Sequence, residues 1–395
     1  MPSAVPFRSP LTHRRLLVAQ SMAGAFFFWM SLYVFVPTLP VYAQTKSSSL
    51  ALVGLALAQY GLWQAILRFP LGLSADWLGR RKPFILLGFI LLALGAWIMR
   101  SAGGIGGVAV GRAVTGLAAS SWVVMVVAYS GLFPPAEATR AAATLTLVCS
   151  LAQGAASLAS GPLTALGGYA AGFTFSMAVA GAGLLVFLPG SETLRPHLRP
   201  TPAATLHLAL RKDVLGPALL NGVQQYAVFA AIFGFTPILA ERFGASNIQI
   251  GLLTTLNIAV TVTGNLLASL LVSRSGERRL VTASFILMAA GIGLTAAAPS
   301  LAWLYPAQVL LGLGGGIGYP LLMGLSIAHV EEGERNTAMG LHQAVYGIGM
   351  FTGPWLSGLL AGPLGIQPMF AVTAGAVLGI GVLSNWVLGN WVLGR

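Results

Sequence analysis

Polar side chains that could bind a solute lie inside long apolar runs of this sequence. Asn221, Gln224 and Gln225 are three and four residues apart, which places them on one face of a helix, and Tyr226 follows them. Amides and phenols in an apolar run cost free energy unless they find a hydrogen-bond partner. Four of them within six positions therefore predict a solute-binding face. Further candidates in other runs are Tyr33, Gln153, Asn257, Gln343 and Tyr346.

Three basic or titratable residues also lie in apolar runs. Arg112 falls well inside the fourth run, where an arginine costs about 2.5–3.5 kcal/mol, so we expect it to face a cavity or a partner. Snorkelling to one interface is its alternative. His342 lies four residues before Tyr346 and could carry a proton, although a buried histidine that is merely hydrogen-bonded is the alternative. For Arg68 we expect a guanidinium that reaches the membrane interface.

The acidic residues are all in loops or at the ends of apolar runs: Asp76, Glu137, Glu192, Asp213, Glu241, Glu277, Glu331, Glu332 and Glu334. A carrier of organic cations would normally hold a carboxylate in the membrane to offset the charge of its substrate. The sequence therefore favours neutral, anionic or zwitterionic substrates over permanent cations. A coupled proton would have to be carried by His342, by Asp76 or by the substrate itself.

The composition is that of a membrane protein. Of 395 residues, 56% are hydrophobic and 8% are charged, whereas a soluble domain has about 25% charged residues. A membrane helix needs ~20 apolar residues. We predict an all-α membrane protein with twelve transmembrane helices, over residues 16–42, 51–75, 83–99, 104–129, 138–163, 169–189, 215–240, 248–273, 280–298, 301–328, 336–362 and 366–393.

The basic residues are distributed unevenly between alternate loops. Sixteen fall on the side of the N-terminus, three on the other side and two, Arg68 and Arg112, inside runs, which accounts for all 21. By the positive-inside rule both termini are cytoplasmic, in what we expect to be a bacterial inner membrane. Because the charges lie in short clusters between runs, they indicate orientation in a lipid bilayer rather than binding of nucleic acid.

The sequence divides into two similar halves. A polar segment, residues 190–214, separates a predicted N-terminal six-helix bundle (1–189) from a C-terminal one (215–395). Arg112-x-x-x-Gly116 matches Gln308-x-x-x-Gly312 at an offset of 196 residues, and Gly79 matches Gly276 at 197. Such duplication predicts two pseudo-symmetric bundles, an architecture typical of transporters.

The loop after the second run carries the most specific motif. Gly72-Leu-Ser-Ala-Asp76-Trp-Leu-Gly79-Arg80-Arg81-Lys82 resembles the cytoplasmic-loop motif of the major facilitator superfamily (MFS), with Trp77 in place of the usual basic residue. The resemblance extends over nearly the whole chain. It implies a cytoplasmic gate in which the loop latches the two halves, with Asp76 capping a helix terminus and Arg80 pairing with an acid such as Glu137. Charges that only set topology are the alternative.

Two more motifs resemble the same family. Arg112 and Gly116 match its helix-four Arg-x-x-x-Gly motif, whose arginine is associated with coupling in proton-coupled members. Gly161-Pro162 is similar to the Gly-Pro motif of its antiporters, although four residues rather than two separate it from Gly167-Gly168. Proline removes a backbone hydrogen bond and glycine admits a neighbouring helix, so we expect a bend at a tight contact. A proline near the end of an ordinary helix is the alternative.

Together these features resemble the drug/metabolite:proton antiporter branch of the superfamily. The resemblance implies a monomeric secondary transporter that works by alternating access, and we expect proton-coupled efflux of a small amphiphilic neutral or anionic compound. A facilitator or proton symporter that imports a neutral metabolite such as a sugar is one alternative, and a non-transporting sensor or scaffold is another. The runs lack a nucleophile with its base, a metal site or paired carboxylates, so we expect no enzyme activity, cofactor or metal.

Overall fold

Helices make up the regular structure of this chain. The computed structural model describes residues 11–134, 137–189, 208, 210–331 and 334–392, without the side chains of residues 11–13, 73, 76, 138, 139 and 336. Within that part there is no strand, and the helices are α1 (Leu11–Tyr33), α2 (Leu39–Lys46), α3 (Leu50–Leu78), α4 (Lys82–Arg100), α5 (Ile105–Ser120), α6 (Trp122–Ser130), α7 (Ala138–Phe187), α8 (Lys212–Ala230), α9 (Thr236–Arg242), α10 (Asn247–Ser275), α11 (Glu277–Ala296), α12 (Leu301–Leu325), α13 (Arg335–Leu364) and α14 (Ile366–Val387). Short π-helical segments follow α8 (Ala231–Phe235) and α14 (Leu388–Val392).

The described helices account for twelve crossings. Ten regions are long and apolar enough to span a membrane, judged by length and composition. α7 supplies a second crossing because it has 50 residues and two non-helical residues inside it. α13 has 30 residues and packs along α3, which makes it the twelfth. The predicted all-α class with twelve membrane helices is confirmed.

The fifth and sixth predicted runs are two helices that meet at Gly167-Gly168, within the range Ala138–Phe187 given above as α7. Gly167 and Gly168 interrupt α7, and Gly168 has a φ of +65°, a value that glycine adopts without steric cost. We expected the bend at Gly161-Pro162, but the non-helical dihedrals lie beyond Pro162, at the glycine pair. Membrane helices tolerate proline where neighbouring groups satisfy the freed carbonyl, so the glycine pair rather than the proline turns the chain.

Glycines let helices of the two halves approach closely. α3 packs on α13, where a Cβ added to Gly358 would lie 2.6 Å from the carbonyl oxygen of Leu50. α7 packs on α10, where a Cβ on Gly251 would lie 2.9 Å from the carbonyl oxygen of Ser157. Lipid provides no hydrophobic drive for helices to associate, so such close backbone contact supplies the packing energy.

The loops lie on two faces of the bundle. The motif face holds residues 79–81, 131–134, 276 and 326–331, and the short-turn face holds residues 47–49, 101–104, 243–246, 297–300 and 365. α2 and α9, one from each half, contact each other at the short-turn face. Residues 190–207 and 209 of the predicted linker lie outside the described residues, so the division at 190–214 stays a prediction, as does the cytoplasmic assignment of the motif face.

The contact of α3 with α13 predicts that a larger residue at Gly358 will destabilise the protein. A valine there would collide with backbone atoms of α3, including the Gly54 Cα at 3.0 Å from the added Cβ. We expect Gly358→Val to cost about 1–3 kcal/mol, as overpacking does, and to lower the thermal unfolding midpoint in detergent. Gly375→Val is the matched control, since nothing lies within 4 Å of a Cβ at Gly375, and an equal loss in both variants would contradict the packing argument.

Candidate functional site

Aromatic rings from both halves form a continuous cluster at the centre of the molecule. Successive ring centres are 5.2–6.1 Å apart in the aromatic cluster, which consists of Trp122, Trp29, Tyr33, Phe233, Phe229 and Tyr60. Phe229 and Phe233 come from the second half and the other rings from the first. Tyr33 and Phe233 contact each other across the halves and still keep exposed surface. They therefore border open space between the two bundles.

Arg112 joins the end of this cluster. Its guanidinium carbon lies 4.3 Å from the centre of the Tyr60 ring, within range of a cation–π interaction. The side chain is 4% exposed, and its Nε and Nη1 atoms have no acceptor among the described residues. Gly116, one turn along α5, lies directly against the Tyr60 backbone and so lets α5 bring Arg112 onto the ring. The structure thus places Arg112 against a partner, but the partner is aromatic rather than acidic.

Arg68 does not reach the membrane interface as expected. Its side chain is 6% exposed, and its guanidinium carbon lies 5.4 Å from the ring centre of Tyr346 on α13. The reason is that α13 covers α3 one turn away, where a Cβ on Gly347 would lie 2.8 Å from the Cα of Ala65. The Nε of Arg68 also lacks a described acceptor. Tyr346 in turn contacts Tyr319 of α12 at 6.0 Å.

His342 lies in a buried hydrogen-bonded group of the second half. Its Nε2 is 2.7 Å from Nδ2 of Asn221, and its Nδ1 is 2.6 Å from Oγ of Ser326. Because the amide nitrogen donates, Nε2 accepts and Nδ1 donates to the serine, which is the pattern of a neutral imidazole. Oδ1 of Asn221 is buried without a partner. The group joins α8, α12 and α13 and does not contact the aromatic cluster directly.

Some of the remaining predicted substrate contacts bind neighbouring helices, and the others do not. Gln224 donates to Ser284 Oγ at 2.9 Å, and Asn257 donates to the backbone carbonyl of Gln308 at 3.1 Å, so both amides bind neighbouring helices. Gln225 has no hydrogen-bond partner among the described residues, and Tyr226, Gln343 and Gln153 are half-buried. The structure brings Tyr33 and Tyr346 to the centre, and the direct binding role of all the predicted residues stays a prediction.

The motif loop has a different ion pair from the one expected. Glu137 accepts from Arg14 at 2.7 Å rather than from Arg80, which is exposed. Arg14 also donates to the Leu132 carbonyl at 2.8 Å, so the pair ties α1 to the loop before α7 within one half. Gly79 ends α3 with a φ of +62°, which explains why glycine stands there. The side chain of Asp76 lies outside the described residues.

Two more motif glycines differ in what surrounds them. A Cβ on Gly72 would meet Val123 at 3.9 Å, an ordinary contact. A Cβ on Gly161, just before Pro162, would lie 2.5 Å from the Cα of Ile248 on α10. The expected tight helix contact at Gly161-Pro162 is therefore present, and it joins the two halves.

The fold can now be compared with known proteins. A family model described as Major Facilitator Superfamily matches residues 21–238 and 218–390. The chain belongs to the major facilitator superfamily. Among curated MFS relatives, an uncharacterized transporter of Methanocaldococcus jannaschii is 22% identical over 88% of this chain and 92% of its own. The inner membrane transport protein YajR of Escherichia coli is 36% identical, but the match spans only 24% of this chain and 21% of that protein.

Solved structures share the MFS fold. A bacterial homologue of the human lysosomal transporter Spinster, in an inward-facing and occupied conformation, has a TM-score of 0.79 at 16% identity and covers 98% of both chains. The human organic anion transporter MFSD10 has a TM-score of 0.70 at 16% identity, over 96% of this chain and 100% of that one. A D-xylose–proton symporter has a TM-score of 0.75 at 14% identity, over 94% and 97%. At these identities the likeness shows the fold alone.

Membership of the superfamily makes this chain a multi-pass membrane protein that carries a small-molecule substrate by secondary transport. Among the described residues no group of three or more His, Cys, Asp or Glu could hold a metal ion.

Sequence reasoning missed Arg68 and Phe233 as central residues. For Arg68 no local signal was available, because the ring that covers it, Tyr346, belongs to the other half. For Phe233 no local signal was available, since phenylalanine in an apolar run is ordinary.

The bond between His342 and Asn221 predicts a measurable coupling between the two residues. Removing either side chain leaves a buried polar group unpaired, so each single alanine variant should lower stability, while the double variant should lose less than their sum. Hydrogen bonds between membrane helices average about 0.6 kcal/mol and reach about 1.7. We expect a coupling in that range from a double-mutant cycle measured by unfolding in detergent. The pair Asn221 and Asn390, which lie on different helices and share no bond, is the control, and additive losses for His342 and Asn221 would refute their bond.

Proposed function

We propose that this chain exports a small amphiphilic anionic or neutral compound in exchange for protons. One observation carries the proposal: a buried guanidinium at Arg112 with unpaired N–H groups, beside aromatic rings of both halves, and with no carboxylate partner among the described residues. A charge in such a place costs several kcal/mol unless something binds it. An amphiphilic anion supplies the acceptor, and its apolar body suits the rings.

The acids that the structure describes support an anionic rather than a cationic substrate. Asp213 lies in the first turn of α8 and binds Arg211 at 2.7 Å, Glu137 binds Arg14, and Glu277 lies in the first turn of α11. None of these carboxylates is near the aromatic cluster. MFSD10, which shares the fold, is named an organic anion transporter, and its name agrees with this proposal.

Proton coupling is assigned to Arg112 and His342. His342 is neutral in the hydrogen-bonding pattern described above, with Asn221 donating to it. A protonated His342 would need an acceptor at Nε2, and Asn221 can supply one by turning over its amide, because its Oδ1 has no other partner. The pair could therefore hold either protonation state with a complete hydrogen bond. Arg112 would be coupled to the same protonation change through the charged substrate that it binds.

The motif loop is proposed as the gate on the cytoplasmic side. Gly79 permits the turn after α3, and Arg80 is exposed and available to bind the other half when that side closes. Gly72, Asp76 and Arg81 complete the motif. Glu137 would belong to this gate through Arg14 and the start of α7 rather than through a pair with Arg80.

Import of a neutral metabolite by a facilitator or proton symporter is the second candidate. Gln225 is 8% exposed and has no hydrogen-bond partner among the described residues, and the neighbouring Tyr226 is half-buried. Such groups suit the hydroxyls of a sugar, and a D-xylose–proton symporter shares the fold.

We place the protein in a bacterial inner membrane, as a monomer with both termini in the cytoplasm. The name of the inner membrane transport protein YajR agrees with that location.

Energised inverted membrane vesicles distinguish the two candidates. With a panel of neutral, anionic and cationic amphiphiles, we expect anionic and neutral members to collapse the proton gradient in wild type but not in Arg112→Ala. Arg100→Ala, at an exposed arginine on the short-turn face, is the matched control and should behave like wild type. The alternative result is that labelled sugars equilibrate across the membrane without a proton gradient, while no amphiphile collapses the gradient of energised vesicles. In that case the protein is a facilitator and export is refuted.

The role of His342 is tested by the pH dependence of transport. A proton carrier sets the pH at which transport changes, so His342→Gln should weaken the dependence of the transport rate on pH. His329→Gln changes an exposed histidine on the motif face and should leave the profile unaltered. An unchanged profile in His342→Gln would remove this residue from the coupling mechanism and leave the proton to Asp76 or to the substrate.

A further inference from the structure

Two arginines, rather than one, lie buried between the halves without an acid. Arg112 rests on Tyr60 of the first half, and Arg68 rests on Tyr346 of the second. Nε of Arg68 and Nε and Nη1 of Arg112 are buried and have no acceptor among the described residues. Each arginine residue is more than nine-tenths buried. A cation–π contact binds the face of a guanidinium and leaves its N–H groups, which lie in its plane, open to another acceptor.

The two guanidiniums lie at different depths of the same space. Tyr60, Gln64 and Arg68 are four residues apart on one face of α3, so Arg68 starts about 12 Å further along the helix than Tyr60. Arg112 lies at the level of Tyr60, and Arg68 lies nearer the motif face. Tyr60 and Tyr346, the rings on which the two guanidiniums rest, nevertheless pack in one hydrophobic cluster together with Tyr33, Phe229 and Phe233. The two arginines therefore lie against one continuous cluster and are not two separate surface sites.

We propose that Arg68 and Arg112 form a two-point binding site for an elongated aromatic dianion. One acidic group binds each guanidinium, and the ring system of the ligand packs against the aromatic cluster. This inference rests on the proposed function, since it names the substrate class of the same central space. It assigns Arg68 as a direct ligand of the substrate.

Charge balance favours two acidic groups over one. The two guanidiniums carry two positive charges, and only a ligand with two negative charges neutralises both. A monoanion would leave one guanidinium buried with unpaired N–H groups, which costs free energy. Arginine also binds carboxylates through two parallel hydrogen bonds, so each end of the ligand would be fixed in position.

The site draws on both halves of the protein. Arg68 and Arg112 belong to the first half, whereas Tyr346 and Phe233 belong to the second. A dianion that displaces Arg68 from Tyr346, or binds it there, therefore touches both bundles. Occupancy would change the contact of α3 with α13, which is one of the interfaces along which the halves meet.

Binding of a matched series to the purified protein tests this inference. The probes are 2-naphthol, 2-naphthoate and 2,6-naphthalenedicarboxylate, which share a ring system and carry no, one and two carboxylates, and affinity is measured by isothermal titration calorimetry. We expect the dicarboxylate to bind roughly ten- to hundredfold more tightly than the monocarboxylate, the range for one charged hydrogen-bonded contact. Arg68→Gln should abolish that gain while 2-naphthoate still binds at Arg112. Arg112→Gln should likewise abolish the gain of the dicarboxylate, while 2-naphthoate still binds at Arg68. Arg100→Gln should leave the affinities of all three probes unchanged.

Several results would overturn the two-point site. Equal affinities for the two acids in wild type would do so without any variant, as would failure of all three probes to bind. A full dicarboxylate gain in folded Arg68→Gln would remove Arg68 from the site. Where Arg68→Gln does not fold, Arg68→Lys, which keeps the positive charge, takes its place in the binding measurement. Because calorimetry needs neither a gradient nor a direction of flux, absence of proton-coupled export would refute the proposed function and leave this binding result intact.

Discussion

A guanidinium in the hydrocarbon region is unstable unless the protein or a ligand binds it, and this chain places two of them between its halves. The arrangement around them follows from that constraint. Tyr60 and Tyr346 cover the two cations with ring faces, which stabilise a desolvated cation by about 2 kcal/mol. The helices that carry these rings must then stay in close contact. Glycines at the α3–α13 and α5–α3 contacts provide that closeness, so helix packing and charge burial are coupled.

The two halves meet through helix packing rather than through side-chain hydrogen bonds among the described residues. Contact between the halves is made by pairs of helices, α3 with α13 and α7 with α10, and by the short-turn ends of α2 and α9. Internal bonds such as that of His342 with Asn221, or of Gln224 with Ser284, stay within one half. Side-chain hydrogen bonds thus hold each bundle together, whereas backbone contacts at glycine join the bundles. An interface of the second kind breaks no hydrogen bond when helices slide or rock, which suits alternating access.

The fold was largely predictable from the sequence because hydropathy is a local property. Each apolar run had to become a helix, since lipid offers no partner for backbone groups, and the repeat of Arg112 and Gln308 indicated two bundles. The fifth and sixth runs, 138–163 and 169–189, correspond to two helices that meet at the Gly167-Gly168 pair. The burial of Arg68 could not be predicted from its surroundings in sequence, because it is caused by Tyr346 and Gly347 of the other half. The partner of Glu137 was missed for the same reason, since Arg14 is distant in sequence and reaches the loop only through the packing of α1.

No acid among the described residues binds the central arginines, and this gives them their chemical meaning. A carboxylate on a neighbouring helix would bind either guanidinium more strongly than a ring does, since charged hydrogen bonds contribute about 1.5–3 kcal/mol and a ring offers no acceptor in the guanidinium plane. Such an acid would neutralise the site and compete with any anionic substrate. Aromatic partners instead stabilise the cation in the empty protein and leave its N–H groups available. The choice of tyrosine over aspartate or glutamate beside Arg68 and Arg112 therefore keeps the arginines stable without occupying their N–H groups, which is the condition that the proposed anion-binding site must meet.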